Sequence, residues 1–366
     1  MKYRLFAVVI AIVTLLATGR GAAQQDFAFD IFERYLEPLV QQIGMPGLSA
    51  AIVQNGVVVR RYNLGYADVE QKIRTRSDTP YPIGGITQAM TGVLHGVCID
   101  RNTTAVFDID NDIRLFVPTF PVGQTSVRQV LSHSTDGRFR YEPKLFAQLT
   151  SVVESPRCLN RQFRQAIAAE VLNRMALTRT VPGMDLNRPE GEPARALFDG
   201  ASVGRYRAVL NELAVPYKID IRGRASRSEY PSYGLDASTG MVSTVDDLAN
   251  FEIQLDSDDG HPLSSSTLNK MWSKQTFDLP AANNTTVRVE MPTGLGWFVT
   301  QDSGLPVVWT FGHIPDAASA LIVKLPRKKL TLIMLANSGG LANGYDLENA
   351  NVTSSPFVKV FLRLFI

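Results

Sequence analysis

Apolar, β-branched runs stand at both ends of this 366-residue chain, and that placement narrows the possible folds more than any other feature. Leu48 to Val53 and Val57 to Tyr62 flank Gln54-Asn55-Gly56. Asn-Gly between two such runs predicts a tight antiparallel hairpin, because both residues tolerate positive φ. Near the other end, Leu295 to Thr300, Ala318 to Leu325 and Leu330 to Leu335 read as strands, the last two joined by a Pro326-Arg327-Lys328-Lys329 turn. Between the ends the pattern is helical, with apolar faces in Ala89 to Ile99, Val127 to Leu131, Leu145 to Glu154, Phe163 to Leu177, Val245 to Leu255 and Leu268 to Trp272. The reading is an α/β fold of the α+β kind. One antiparallel sheet comes from both chain ends (about 24–80 and 290–366), flanked by helices, and an all-helical region (about 81–289) is inserted between them.

Three further segments complete that plan. Phe29 to Ile43 spaces Ile31, Tyr35, Leu39 and Ile43 as one helical face, ended by Gly44. Leu186 to Tyr233 has weak periodicity and reads as a long surface excursion. Pro356 to Ile366 is an amphipathic segment suited to packing on the sheet, with contact to a membrane surface as the alternative.

The first residues have the order of a secretory leader. Lys2 and Arg4 precede an apolar run, Leu5 to Ala17, then Gly21-Ala22-Ala23 and polar Gln24-Gln25. The run is shorter than the ~20 residues a spanning helix needs. Residues 1–23 are therefore expected to be removed near Ala23, leaving an exported chain with no stable membrane span. Arg20 in the cleavage region keeps an N-terminal anchor as the alternative.

Cys98 and Cys158 are the two cysteines and permit one disulfide, but a core this large does not need it, so two unpaired buried thiols are expected. With 37 basic and 35 acidic side chains, the net charge of +2 gives no nucleic-acid footprint. His95, His133, His261 and His313 are scattered and form no metal-binding pattern, and no glycine-rich phosphate loop follows a strand. No cofactor is implied. Asn102-Thr103-Thr104, Asn284-Thr285-Thr286 and Asn351-Val352-Thr353 fit the glycosylation pattern of exported proteins.

A series of local signatures, in order, resembles the serine β-lactamase and penicillin-binding-protein-like hydrolases, a group that includes class C β-lactamases, DD-peptidases and related esterases. Met45-Pro46-Gly47-Leu48 is similar to the start of that family's first strand. Ile83-Gly84-Gly85-Ile86-Thr87-Gln88 stands where the family has I-G-S-I-T-K. Val130-Leu131-Ser132-His133-Ser134-Thr135-Asp136-Gly137 resembles its L-L-T-H-T-S-G loop, and Phe139-Arg140-Tyr141-Glu142-Pro143 its F-x-Y-S-N segment. Ser238-Thr239-Gly240-Met241-Val242-Ser243-Thr244 with Asp246-Asp247-Leu248, then Gly294-Leu295-Gly296-Trp297 and Leu335-Ala336-Asn337-Ser338, complete the series.

The resemblance implies that position 85 is the nucleophile position, 88 the position of its lysine partner, Tyr141 a proton-transfer phenol, and His313, in Phe311-Gly312-His313-Ile314-Pro315, the last-motif histidine. This chain has Gly85 and Gln88 instead of the serine and lysine, and no Ser-x-x-Lys occurs elsewhere. Pro143 replaces the asparagine of the second motif. The expectation is a catalytically impaired homologue that binds a small amide, ester or peptidoglycan-like peptide, with the Gly85 N–H as a surviving carbonyl-binding donor. The alternatives are a hydrolase using another nucleophile, with Thr87, Ser132 or Ser134 nearest the motifs, and a non-catalytic scaffold that binds a protein partner.

Overall fold

In the computed structural model, which describes residues 26–102, 106–232, 234–257, 262–280 and 285–366, Asn55 and Gly56 adopt φ of +50° and +78°. These two left-handed residues make the tight turn between β1 (Gly47–Gln54) and β2 (Val57–Asp68). The other sheet strands are β3 (Ile73–Arg74), β4 (Phe298–Asp302), β5 (Leu305–Ile314), β6 (Ala318–Leu325) and β7 (Leu330–Ala336). Among the described residues they form a seven-stranded antiparallel sheet in the order β4-β5-β6-β7-β1-β2-β3. The two chain ends meet where β1 pairs with β7, Ala50 opposite Met334. The leader and its cleavage site lie outside the described residues.

The central strands are covered on both faces. Ala51 and Val53 of β1, Ala320 and Ile322 of β6, and Ile333 and Leu335 of β7 join one core cluster. Their alternate neighbours Ala50, Ile52, Leu321, Val323, Leu332 and Met334 join another. The second cluster lies beneath two helices, α1 (26–43) and α4 (Pro356–Phe365). α4 buries Phe357, Phe361 and Phe365, so its apolar face is a core face. In α1 the buried stripe is Phe29, Phe32, Leu36 and Val40, and Tyr35 is 55% exposed. The expected face through Ile31, Tyr35, Leu39 and Ile43 is thus rotated. Both series have helical spacing, and the one carrying two phenylalanines removes more apolar area from water. Among the described residues no helix is long and apolar enough to cross a membrane.

The opposite face is covered by the inserted region around α2 (Ile86–Asp100), in which every residue from Ile86 to Cys98 is buried. A helix buried on every face belongs inside a domain rather than at its surface. α3 (Val245–Leu255) packs on β1 and β7, its start capped by the Thr244 hydroxyl, which accepts from the Asp247 N–H. The all-helical expectation needs amending, because the insertion also holds three two-stranded pairs. These join Tyr81–Pro82 to Val242–Ser243, Tyr217–Ile219 to Ala225–Arg227, and Thr276–Pro280 to Thr286–Glu290. The first two pairs have strands of two or three residues, too short to show a period, and the third has five-residue strands that lie mostly exposed. The Leu186–Tyr233 stretch is also more ordered than a plain excursion. It contains the helix Gly200–Asn211, whose Tyr206, Val209 and Leu210 share a small core with Val181, Met184 and Leu186.

The cysteine expectation is corrected as well. Cys98 and Cys158 form a disulfide with Cα atoms 5.1 Å apart, a proximity that sequence spacing does not reveal. It pins the far end of α2, and closing a loop of 60 residues constrains the unfolded chain by about 4 kcal/mol.

Candidate functional site

The turn leading into α2 rests against β5. Gly84 adopts φ +50°, and a Cβ there would stand 3.0 Å from the His313 nitrogen and 3.1 Å from Gly312 Cα, so any side chain at this position would be strained. The N–H groups of Ile86, Thr87 and Gln88 donate to the carbonyls of Ile83, Gly84 and Gly85. The Gly85 N–H has no partner among the hydrogen bonds of the described residues. Gly85 is enclosed on its side-chain side. A Cβ built on it would meet the Phe311 carbonyl oxygen at 2.6 Å and Tyr141 Oη at 2.7 Å. The volume a nucleophilic side chain would need is already taken.

One turn further on, Gln88 is 3% exposed and bridges two aromatic rings. Its Nε2 donates to Tyr141 Oη at 3.1 Å, and its Oε1 lies 2.9 Å from His133 Nε2. His133 has φ +51°. Its ring stacks on Phe146 at 5.0 Å and lies 4.8 Å from the Tyr141 ring. Its Nδ1 accepts the Glu142 N–H at 3.2 Å. Burial pulls the His133 pKa down to about 3, so the ring is neutral at physiological pH. Burial also pushes the Tyr141 phenol well above its ordinary value, outweighing the opposing hydrogen bond from Gln88. Phe298 and Phe311, 5.8 and 5.2 Å from the Tyr141 ring, back it from the sheet side.

Gly85, Tyr141 and His313 line one cleft of about 270 Å³, together with Pro143, Ser238 and Thr239. Gln88 is absent from its wall and acts on it through Tyr141. His313, near the end of β5, pairs through Nε2 with Asn343 Oδ1 at 2.8 Å. Pro143 opens a short helix, Pro143–Phe146, where its missing N–H costs nothing. Ser238 Oγ donates to Asp236 Oδ1 at 2.7 Å, but that oxygen also takes the Ser238 and Thr239 N–H groups, so this carboxylate closes a turn. Thr87, Ser132 and Ser134 have no exposed surface. Ser132 and Ser134 bond each other and backbone carbonyls, and none of the three lines the cleft.

His133, which the sequence shows only within the Val130–Gly137 segment and among four scattered histidines, belongs to the site. Its signal was the neighbouring change at 88, since a buried glutamine needs both a donor and an acceptor to replace a lysine.

An antiparallel sheet made from both chain ends, a helical insertion, and a cleft between the start of the buried helix and a sheet strand define the β-lactamase and transpeptidase class of fold. The family model described as Beta-lactamase matches residues 32–354, and the chain belongs to that family. It is 32% identical over 79 residues to a protein of Escherichia coli K12 named Beta-lactamase, a match covering 22% of this chain and 21% of that one. It is 26% identical over 100 residues to Protein flp of Staphylococcus aureus N315, covering 27% and 20%. These matches span about a fifth of the curated relatives' length.

Two solved structures share the fold far more widely. The octameric penicillin-binding protein homologue from Pyrococcus abyssi superposes with a TM-score of 0.68 at 19% identity, over 92% of this chain and 77% of that one. The class C β-lactamase from Rhodobacter sphaeroides gives 0.65 at 14% identity, over 94% and 99%.

Proposed function

We propose that this protein is an exported member of the β-lactamase family that binds an amide, ester or peptidoglycan-like peptide without forming an acyl-enzyme. The observation that carries this reading is the enclosure of Gly85. Position 85 has no nucleophile, and Phe311 O and Tyr141 Oη stand within 2.7 Å of where one would begin. Gln88 supports the same reading, because an amide offers no basic atom to deprotonate a hydroxyl. The cleft keeps the means to hold a ligand, since the Gly85 N–H stands at the start of a long helix, where the dipole favours partial negative charge. Export is supported by the order of residues 1–23 and by the Cys98–Cys158 disulfide, which persists in oxidising compartments.

The test is covalent labelling. A fluorescent penicillin or fluorophosphonate should leave the unmodified chain unlabelled at concentrations that saturate an active family member. Site-directed labelling would overturn the proposal, and mapping the adduct would name the nucleophile.

A further inference from the structure

Every hydrogen bond in the relay beneath the cleft has its direction set from one end. The Glu142 N–H can only donate, so His133 Nδ1 accepts. A neutral imidazole then carries its proton on Nε2 and gives it to Gln88 Oε1. That leaves the Gln88 amide nitrogen to donate to Tyr141 Oη. Turning the amide over would set two donors face to face at 2.9 Å. Protonating His133 would do the same at Nδ1, and burial opposes it in the same sense. No ion pair reaches the ring either, since the Glu142 carboxylate is engaged by the Thr135 hydroxyl and faces Arg140. Tyr141 Oη thus receives one proton from below and keeps its own, with no acceptor for it among the hydrogen bonds of the described residues. That oxygen lies 2.7 Å from the position a Gly85 Cβ would take, at the cleft wall.

We propose that Tyr141 is a fixed hydrogen-bond donor which, with the Gly85 N–H, recognises an uncharged carbonyl oxygen of the ligand, and that Gln88 and His133 are positioning residues enforcing that polarity. This rests on the ligand-binding reading above, and replaces the proton-transfer role that the family resemblance implies for the tyrosine. The carbonyl is uncharged because the cleft wall includes the Glu348 carboxylate and, among the described residues, neither lysine nor arginine. A carboxylate ligand would find two donors but no counter-charge, and one like charge.

The experiment has two arms. Histidine-labelled protein, free of ligand, is examined by nitrogen-15 NMR from pH 8 to 5. His133 is expected to stay neutral with its proton on Nε2 throughout. A proton on Nδ1, or on both nitrogens, overturns the inference whatever the ligand data say. In the second arm, saturation-transfer NMR measures binding of benzylpenicillin methyl ester and of benzylpenicillin, which share a lactam carbonyl and differ in the carboxylate. The ester is expected to bind about tenfold more tightly. Gln88→Glu offers acceptors to both His133 and Tyr141 and draws the phenol proton inward. It should weaken ester binding about tenfold with the His133 tautomer unchanged. Tyr141→Phe should lose the same binding and supplies the answer if Gln88→Glu does not fold. Undiminished ester binding in Tyr141→Phe, or in a folded Gln88→Glu, sinks the inference and leaves the ligand-binding reading standing. Binding of neither probe by the unmodified chain, with the expected tautomer, sinks the ligand-binding reading itself.

Discussion

Two buried polar clusters of this protein are built on opposite plans, one tying α2 to the loop of His133 and Tyr141, the other tying α3 to the sheet. The relay of His133, Gln88 and Tyr141 is neutral throughout and ends at a cleft. The other cluster is charged and closed. Lys324 of β6, with no exposed surface, places its Nζ 2.9 Å from Glu252 Oε2 and 2.7 Å from Asp256 Oδ1 at the end of α3, and 4.1 Å over the Trp272 ring. Burial works against the Lys324 ammonium, but the two carboxylates outweigh it and hold its pKa above the ordinary value. The chain therefore does bury a lysine, and surrounds it with two carboxylates. At position 88 the partners are a neutral imidazole and a phenol. An ammonium there would be a buried charge without compensation, and the amide is the side chain that this pocket satisfies.

Breaking the charged cluster should have the largest effect. Lys324→Met strands Glu252, which has no exposed surface, and should cost about 3–5 kcal/mol in urea denaturation. Replacing Lys324, Glu252 and Asp256 together with apolar residues of matched volume should recover most of it. A loss under about 1 kcal/mol in the single variant would mean that water reaches the pair. Adding the missing side chain at the neutral cluster comes second. Gly85→Ser must displace a backbone carbonyl and the Tyr141 hydroxyl, so stability should fall by roughly 1–3 kcal/mol. Combining it with Gln88→Lys should give no acylation unless β5 also moves, which a crystal structure of the double variant would reveal.

The third effect is a slope with pH. The folded His133 pKa of about 3 lies below the unfolded value near 6.5. Between those values the unfolded chain binds a proton that the native state refuses. This stabilisation is complete above about pH 6.5 and is lost as pH falls, at about 1.4 kcal/mol per pH unit. His95, buried with a pKa of about 4, adds a slope of the same sign. Lys324 acts at the other end of the scale, its contribution present below the unfolded lysine value and lost only in strong alkali. Urea midpoints that stay level from pH 7 to pH 5 would show that water reaches the histidines.

How far the sequence reveals these features depends on whether their causes are local. The Asn55-Gly56 turn, the strands Ala318–Leu325 and Leu330–Ala336, and the helix Val245–Leu255 were legible, since each is specified by adjacent residues. β5 was not, because Pro306 and Gly312, residue types depleted from strand interiors, interrupt its apolar run, whereas β6 and β7 are nearly continuous. Gly85, Tyr141 and His313 could be placed in one site from the order of the motifs. The role of His133 could not, since it depends on which ring nitrogen faces the Glu142 N–H and on an amide supplied by a different helix.

The pairing of β1 with β7 also sets the order of assembly on the ribosome. Ala50 is made long before its partner Met334, so the central seam of the sheet stays open until all the residues between them have been translated. Contacts this distant in sequence slow folding, and until β7 arrives β1 presents a bare backbone edge on which misplaced strands can pair.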